Sequence, residues 1–180
     1  IEVGMCPVRA LRVAYTGELG WELHHPIEMQ NYLLDILLSS GEEFNLKLVG
    51  ARAQNWLRQE KSYKAFGSDL GRDAGPFESN LSRFVDINKN FLGKDALLKR
   101  KTNVSCVTLL IDGPEDIDPW GKEALYNETE EVMLGRLTSA GYSVHFKRSI
   151  GIGYVKSSFS EVGTKLRIKI DDAFWNAEIV

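Results

Sequence analysis

The sequence predicts an α+β fold in two parts: a first part of mixed helices and strands, and a second part built only of strands. Residues 27–40 and 51–61 carry apolar side chains at helical spacing. After residue 103, five short β-type runs follow one another with turn residues between them. The pattern changes near residues 101–103, so we predict one domain over residues 1–102 and a small barrel or sandwich over residues 103–180.

The elements of the first part follow from periodicity and from breaker residues. Two glycines between alternating runs predict a tight turn. An apolar stripe at i, i+4, i+7 and i+8 predicts the first helix, with Pro26 at its start and Gly41 at its end. The predicted elements are a hairpin (9–26), a helix (27–40), a connector or short strand (46–49), a second helix (51–61), an irregular stretch (67–76), a strand (83–87) and a short helix (92–101).

The second part contains no helical stripe. Its β-type runs are short and regularly spaced, with turn signals between them, which is typical of a small barrel or sandwich. The predicted strands cover residues 104–111, 132–138, 150–155, 165–170 and 174–180.

Composition limits the function classes. The 180 residues are 43% hydrophobic and carry a net charge of −3, so nucleic acid is not expected as a partner. The apolar runs are too short for a membrane helix, and no membrane partner is expected. Cys6 and Cys106 lie far apart and form neither a disulfide framework nor a metal motif. We therefore expect a reducing, cytoplasmic setting. Because Ile1 is not a start methionine, we expect the chain to be a piece of something longer.

The hairpin carries the strongest candidate for a binding site. Glu22 stands between Trp21 and Leu23 on the second strand, so its side chain points to the face opposite theirs. A carboxylate held beside aromatic rings suits a flat, nitrogen-rich heterocycle, because its two oxygens accept paired N–H donors. Tyr15 and Glu18 flank the same turn. The alternative is a polar surface hairpin whose glutamates are simply solvated.

A second candidate feature lies on the second helix. Arg52 and Trp56 are i, i+4 neighbours and share a helix face. An arginine beside aromatic side chains can clamp a carboxylate or stack on a ring. Arg58 and Tyr63 lie close by in sequence. The alternative is a solvated arginine over a core tryptophan.

Other chemistry finds little support. His24 and His25 are adjacent on a strand and point to opposite faces, so they cannot share a metal ligand, and we predict no metal site. His145 is isolated, and no nucleophile–base pair is evident, so no catalytic residue is assigned within this chain. The run Gly151-Ile152-Gly153 lacks a third glycine and a following helix, which excludes a dinucleotide fingerprint.

An ordered series of motifs resembles the glycine-cleavage T-protein (aminomethyltransferase) family. The segment Gly-Glu-Leu-Gly-Trp-Glu-Leu at residues 17–23 looks closest to the folate-binding half of dimethylglycine and sarcosine dehydrogenases. Further blocks follow in the same order as in that family and cover nearly the whole chain. They lie at residues 12–26, 51–61, 66–70, 76–78, 90–97, 118–123, 135–142 and 151–155.

The resemblance implies a fold and a ligand. It implies a partial ferredoxin-like aminomethyltransferase core over residues 1–102 and the family's β-barrel over residues 103–180. It also implies that the chain binds tetrahydrofolate and takes part in passing a one-carbon unit to that cofactor. Carried over by position, Glu22 accepts hydrogen bonds from the pterin and Arg52 contributes from the second helix. Tyr15, Glu18 and Trp21 are weaker candidates for lining the folate channel.

Departures from the family leave two function classes open. The resemblance places the family's essential aspartate upstream of Tyr15, and Gln59 and Ser79-Asn80 replace usual residues. The chain is therefore either an incomplete aminomethyltransferase-like protein, inactive alone, or a non-catalytic binding or structural module. The expected partners are folate and upstream domains of the parent protein. Apolar surface left by those domains is expected to be exposed or covered by self-association.

Overall fold

The computed structural model describes residues 1–101, 103–114 and 117–180. These residues form two compact units, Ile1–Asn55 and Trp56–Val180. The border between the units falls inside the second helix, upstream of the change in pattern at residues 101–103. The division into domains 1–102 and 103–180 stays a prediction.

The first unit consists of two antiparallel strand pairs and one long helix. Its first sheet pairs two short strands, and its second sheet is the predicted hairpin. A 3₁₀ turn leads into the long helix, whose predicted span is confirmed. The elements are β1 (Glu2–Val3), β2 (Cys6–Pro7), β3 (Arg9–Leu11), β4 (Glu22–His24) and helix α1 (Gln30–Gly41).

A small apolar cluster holds this first unit together. Cys6, Val8 and Leu33 are buried at its centre. Leu23 of β4 and Leu37 of α1 pack against them, half-buried. The hairpin and the helix are therefore joined by apolar burial, which gives the exposed face of β4 a fixed support.

Helix α2 (Ala51–Glu60) confirms the second predicted helix, and a short helix α3 (Lys94–Lys99) follows later. The stretch between them is mostly irregular, as its glycines predict. The connector over residues 46–49 forms no strand in the described structure. None of the helices in the described residues combines the length and apolar character needed to cross a membrane.

Six strands of the described residues close into a barrel, so the barrel alternative is confirmed over the sandwich. All neighbouring strands are antiparallel, and the order around the barrel is β10-β5-β8-β7-β6-β9. The strands are β5 (Val104–Ile111), β6 (Ala124–Tyr126), β7 (Met133–Ser143), β8 (Arg148–Lys156), β9 (Lys165–Ile170) and β10 (Ala173–Ile179). The predicted α+β class with an all-β barrel is thus confirmed.

Apolar side chains fill the barrel interior. Leu109, Leu125, Leu137 and Ile168 are fully buried there. Strands β7 and β8 approach too closely for a side chain at Gly135, because a Cβ on this residue would lie 1.9 Å from the carbonyl oxygen of Tyr154. Glycine at this position therefore allows β7 and β8, the two longest strands of the barrel, to pair closely.

One predicted strand is wrong, and one strand of the barrel is not predicted. The segment over residues 83–87 is a 3₁₀ turn at Ser82–Phe84 and an extended tail rather than a strand. Its alternating apolar residues find no partner strand in the described structure, and Phe84 and Ile87 remain exposed. The sequence does not predict strand β6, because three residues between polar turns give too little periodicity.

We expect Gly135→Ala to destabilise the protein, by about 2–3 kcal/mol or more, since the added methyl group meets backbone that must move. Urea unfolding followed by tryptophan fluorescence measures the free energy of unfolding. Gly71→Ala is the matched control, because a Cβ added at Gly71 would meet no neighbouring atom within 4 Å. Equal stability of the two variants would contradict the close approach of β7 and β8.

Candidate functional site

The turn that carries the candidate site is shaped by its two glycines. Gly17 has a φ of 74°, in the left-handed region that favours glycine. A Cβ on Gly20 would lie 2.8 Å from the Cβ of Ala14, so a larger residue there would push the two arms of the turn apart. The turn therefore brings the chain back into register, with Leu11 opposite Glu22.

Glu22 lies on the exposed face of β4. Leu23 packs towards the core of the first unit, so Glu22 and His24 point the other way, as predicted from strand alternation. The Glu22 side chain is 54% exposed, and its Oε2 lies 3.1 Å from Nε2 of His24. The carboxylate is thus held by a strand while most of its acceptor capacity still faces solvent.

The other predicted site residues are distributed over two elements. Tyr15, Glu18 and Trp21 lie with Glu22 in the β3–β4 hairpin and are exposed, Trp21 to 59%. Arg52 lies in the first turn of α2 and is also exposed. The hairpin therefore groups four of the five residues, and a role for Arg52 beside them stays a prediction.

The sequence does not predict a buried ion pair that the second unit contains. Arg58 and Asp69 are almost fully buried, and Nη1 of Arg58 donates to Oδ2 of Asp69 at 2.6 Å. The Asp69 carboxylate also accepts hydrogen bonds from Thr138 Oγ1 at 2.5 Å and from Ser139 Oγ at 2.7 Å. The pair thereby joins α2, the following loop and strand β7. Arg58 is a structural residue here, neither a solvated arginine nor an exposed ligand contact.

Tyr154 provides a second link between the same loop and the barrel. Its hydroxyl group donates to the carbonyl oxygen of Asp69 at 2.8 Å and also contacts Oγ of Ser79 at 2.8 Å. Burial raises the pKa of Tyr154 to about 12, so the hydroxyl stays protonated at neutral pH. The neutral Tyr154 hydroxyl therefore links the loop to the barrel through hydrogen bonds.

A second ion pair lies beyond Asp69 in the chain and holds the end of the loop that follows α2. Nε of Arg100 donates to Oε1 of the buried Glu78 at 2.7 Å, and the amide of Gly75 donates to the other carboxylate oxygen. Arg100 also donates to the carbonyl oxygen of Asp73. Burial alone would raise the pKa of Glu78, but the hydrogen bonds from Arg100 and Gly75 hold that pKa below its ordinary value.

The cysteines and the acidic residues of the described ranges provide neither a disulfide nor a metal cluster. Cys6 and Cys106 are both free and buried. Burial raises the pKa of Cys106 to about 11, so this thiol is a poor nucleophile at neutral pH. Within the three described ranges, no group of three or more His, Cys, Asp or Glu residues could hold a metal ion.

We expect Asp69→Asn to destabilise the protein by about 3–5 kcal/mol, because it leaves the buried Arg58 guanidinium without a counter-charge. Chemical unfolding measures the loss. The double variant Arg58→Met with Asp69→Asn should be more stable than Asp69→Asn alone, since it removes the unpaired charge. If the free energy of unfolding of Asp69→Asn lay within about 1 kcal/mol of that of the wild type, a structural role for the pair would be contradicted.

The lowered pKa of Glu78 predicts a pH dependence of stability. A carboxylate with a depressed folded-state pKa stabilises the protein above its unfolded pKa of about 4.3, and this contribution is lost as the pH falls through the folded-state value. We expect Glu78→Gln to be less stable than the wild type at pH 7 and the difference to shrink below about pH 4. Unfolding at a series of pH values tests this, and a difference that is constant with pH would contradict it.

Comparison with known proteins bears on both units. The pattern of the GCVT N-terminal domain matches residues 1–89. The pattern of the glycine cleavage T-protein C-terminal barrel domain matches residues 105–180, which contain the barrel strands from Ser105 of β5 onwards.

Individual relatives agree with these matches. Human mitochondrial dimethylglycine dehydrogenase is 37% identical over 179 residues, which cover 94% of this chain and 20% of that protein. An aminomethyltransferase from Caldanaerobacter subterraneus is 33% identical, with 94% of this chain and 45% of that protein covered. The chain thus spans about a fifth to somewhat under half the length of these relatives.

A solved structure gives the same answer for the fold. The glycine cleavage system aminomethyltransferase T from Bartonella henselae superposes with a TM-score of 0.83 at 24% identity and covers 94% of this chain and 47% of its own. At this identity the likeness concerns the fold. The two domain matches, which follow each other along nearly the whole sequence, show that this chain belongs to the glycine cleavage T-protein family.

Proposed function

We propose that this chain binds the pterin ring of tetrahydrofolate through Glu22, as part of a protein that transfers one-carbon units. The observation that carries the proposal is the position of Glu22: its carboxylate stands on a supported strand, exposed, in a chain of the glycine cleavage T-protein family. The name aminomethyltransferase, which two of the relatives above carry, supports the reaction class.

The hairpin fits a pterin chemically. A pterin presents neighbouring N–H donors along one edge, and a carboxylate can accept two of them at once. One oxygen of Glu22 has a contact with His24, and the carboxylate is more than half exposed, so acceptor sites remain open to a ligand. Trp21 is exposed at the neighbouring position, on the face opposite Glu22, and we propose it only as a weaker candidate for lining the folate channel.

Arg52 suits the other end of the ligand. Folates carry a glutamate tail with carboxylates, and a guanidinium binds a carboxylate through two parallel hydrogen bonds. Arg52 is exposed at the start of α2. We propose that it binds this tail, while Tyr15 and Glu18 line the approach to Glu22.

The part played by this chain is to hold and orient the cofactor. Tetrahydrofolate supplies the nitrogen atoms that accept the one-carbon unit. Glu22 contributes orientation, because a ring fixed by two hydrogen bonds presents those nitrogens in one direction. We propose that the complete activity, including the choice of amine donor, needs more than these residues; the chain spans 20% and 45% of the two relatives.

The residues that depart from the family do not favour the alternative of a non-catalytic module. Gln59 is buried, and its Nε2 donates to the carbonyl oxygen of Ala140 at 3.3 Å. Ser79 is buried and contacts the Tyr154 hydroxyl. Both side chains are buried and make contacts within the second unit, so these two departures do not by themselves point to a lost ligand.

The partners and the compartment stay predictions. Exposed apolar side chains in the first unit include Leu19, Ile27 and Phe44, which are 76 to 78% exposed. Upstream domains of the parent protein, or a second copy of this chain, are the proposed cover for such surface. The sequence predicts a cytoplasmic location, whereas the human relative is named as mitochondrial.

We expect Glu22→Gln to weaken tetrahydrofolate binding about 10- to 100-fold, because the amide keeps one acceptor but loses the charge that strengthens both hydrogen bonds. Isothermal calorimetry on the 180-residue chain, and on any longer product of the same gene, measures the affinity. Glu28→Gln is the matched control, since Glu28 is an exposed glutamate of the same unit outside the hairpin. Equal affinity of the Glu22 variant and the wild type would overturn the proposal.

Binding of a ligand without the glutamate tail distinguishes the proposed role of Arg52 from that of Glu22. We expect Arg52→Gln to weaken binding of tetrahydrofolate about tenfold and to leave binding of tetrahydropterin, which lacks the tail, unchanged. Glu22→Gln should weaken the binding of both ligands. An Arg52 variant that weakens both ligands equally would contradict a contact with the tail.

A further inference from the structure

A cavity of about 340 Å³ opens on the outer wall of the barrel, within the second unit. Its floor is formed by strands β5, β7 and β8, and its opposite wall is the loop over residues 67–74. The volume is at the low end for small-molecule sites, so the cavity suits a ligand of a few non-hydrogen atoms rather than a whole folate. The floor residues are Val104, Arg136, Thr138 and Tyr154.

The loop that walls this cavity is anchored near both ends. Asp69 is held by Arg58 through its carboxylate and by Tyr154 through its carbonyl group. Further along, Arg100 donates to the carbonyl oxygen of Asp73 and is itself paired with Glu78. These contacts fix the wall without help from a ligand, and a preformed wall lowers the cost of ordering on binding.

The lining carries two opposite charges that do not neutralise each other. Arg136 forms no ion pair with any described residue, and the same is true of the Asp73 carboxylate across those ranges. Their charged atoms are therefore more than 4.0 Å apart, although both residues line one small cavity. The third charged lining residue, Asp69, is already neutralised by the buried Arg58.

This arrangement disfavours ligands with a single charge. An anion near Arg136 would also be repelled by Asp73, and a cation near Asp73 would be repelled by Arg136. A ligand that carries both charges gains from both residues. Leu70, Ala74 and Val104 add apolar surface between the polar groups, which suits a short aliphatic side chain.

We propose that this cavity binds a small zwitterionic amino acid, with the ligand's carboxylate on Arg136 and its ammonium group on Asp73. The exposed Ser68 hydroxyl at the rim is a further polar contact for the carboxylate. All the residues that line this cavity belong to the second unit, whereas the hairpin belongs to the first. With exposed charges and so small a ligand, the dissociation constant is on the order of millimolar.

Alanine and its two single-charge analogues test this proposal directly. Propionate lacks the amino group of alanine, and ethylamine lacks its carboxylate. Amide chemical shifts of the isotope-labelled 180-residue chain are followed by NMR during titration with each compound at constant ionic strength. We expect saturable shifts for alanine at residues 67–74, 136, 138 and 154, and affinities at least about tenfold weaker for propionate and ethylamine.

Variants assign the two charges. Arg136→Gln and Asp73→Asn should each weaken alanine binding at least about tenfold, with the remaining barrel shifts unchanged as evidence of an intact fold. Arg148→Gln and Asp172→Asn are matched controls, because both residues are exposed on the barrel and neither lines this cavity. These controls should bind alanine like the wild type.

Several results would overturn the proposal. Propionate that binds as tightly as alanine would show a simple anion site, and ethylamine that does so would show a cation site. Saturable shifts confined to residues outside the cavity would place the ligand elsewhere. Alanine binding that survives both cavity variants, or an absence of any shift at concentrations about tenfold above the expected dissociation constant, would likewise exclude this site.

Discussion

The buried ion pair between Arg58 and Asp69 is the interaction on which the second unit depends. Removing two charges from water costs several kcal/mol per ion, and the attraction between them offsets this only when the remaining polar atoms are also satisfied. Here the Asp69 carboxylate receives hydrogen bonds from Arg58, the Ala65 amide, Thr138 and Ser139. One carboxylate thereby fixes a helix, a loop and a barrel strand relative to one another.

Features encoded by neighbouring residues are predictable from the sequence. Strands β5 and β9 have the predicted bounds, and helix α1 buries Leu33 from the predicted apolar stripe. Such elements follow from periodicity, which is read within a few turns or residues. The hairpin is predictable for a similar reason, since Gly17 adopts the positive φ that its turn requires.

The ion pair cannot be predicted from periodicity, because the groups that it brings together are far apart in the sequence. Arginine and aspartate are mostly exposed in proteins, so a sequence that contains them gives no reason to bury them. Asp69 lies 11 residues from Arg58, but Ser139 lies 70 residues from Asp69, on a barrel strand. Only the folded chain brings these groups together. The same holds for the cavity, whose Asp73 and Arg136 belong to a loop and a distant strand.

The two carboxylates, Asp69 and Glu22, show how structural and ligand-binding roles divide in this chain. A carboxylate has about four acceptor sites, and in Asp69 hydrogen-bond donors of the protein fill them, which leaves no capacity for a ligand. Among the described residues, the Glu22 carboxylate has one hydrogen-bonding contact, with His24, and its strand is held from the opposite face by Leu23. Rigid support without saturation of the acceptors is the condition that a ligand-binding carboxylate must meet. Of these two carboxylates, Glu22 meets that condition because its own contribution to folding contacts is small.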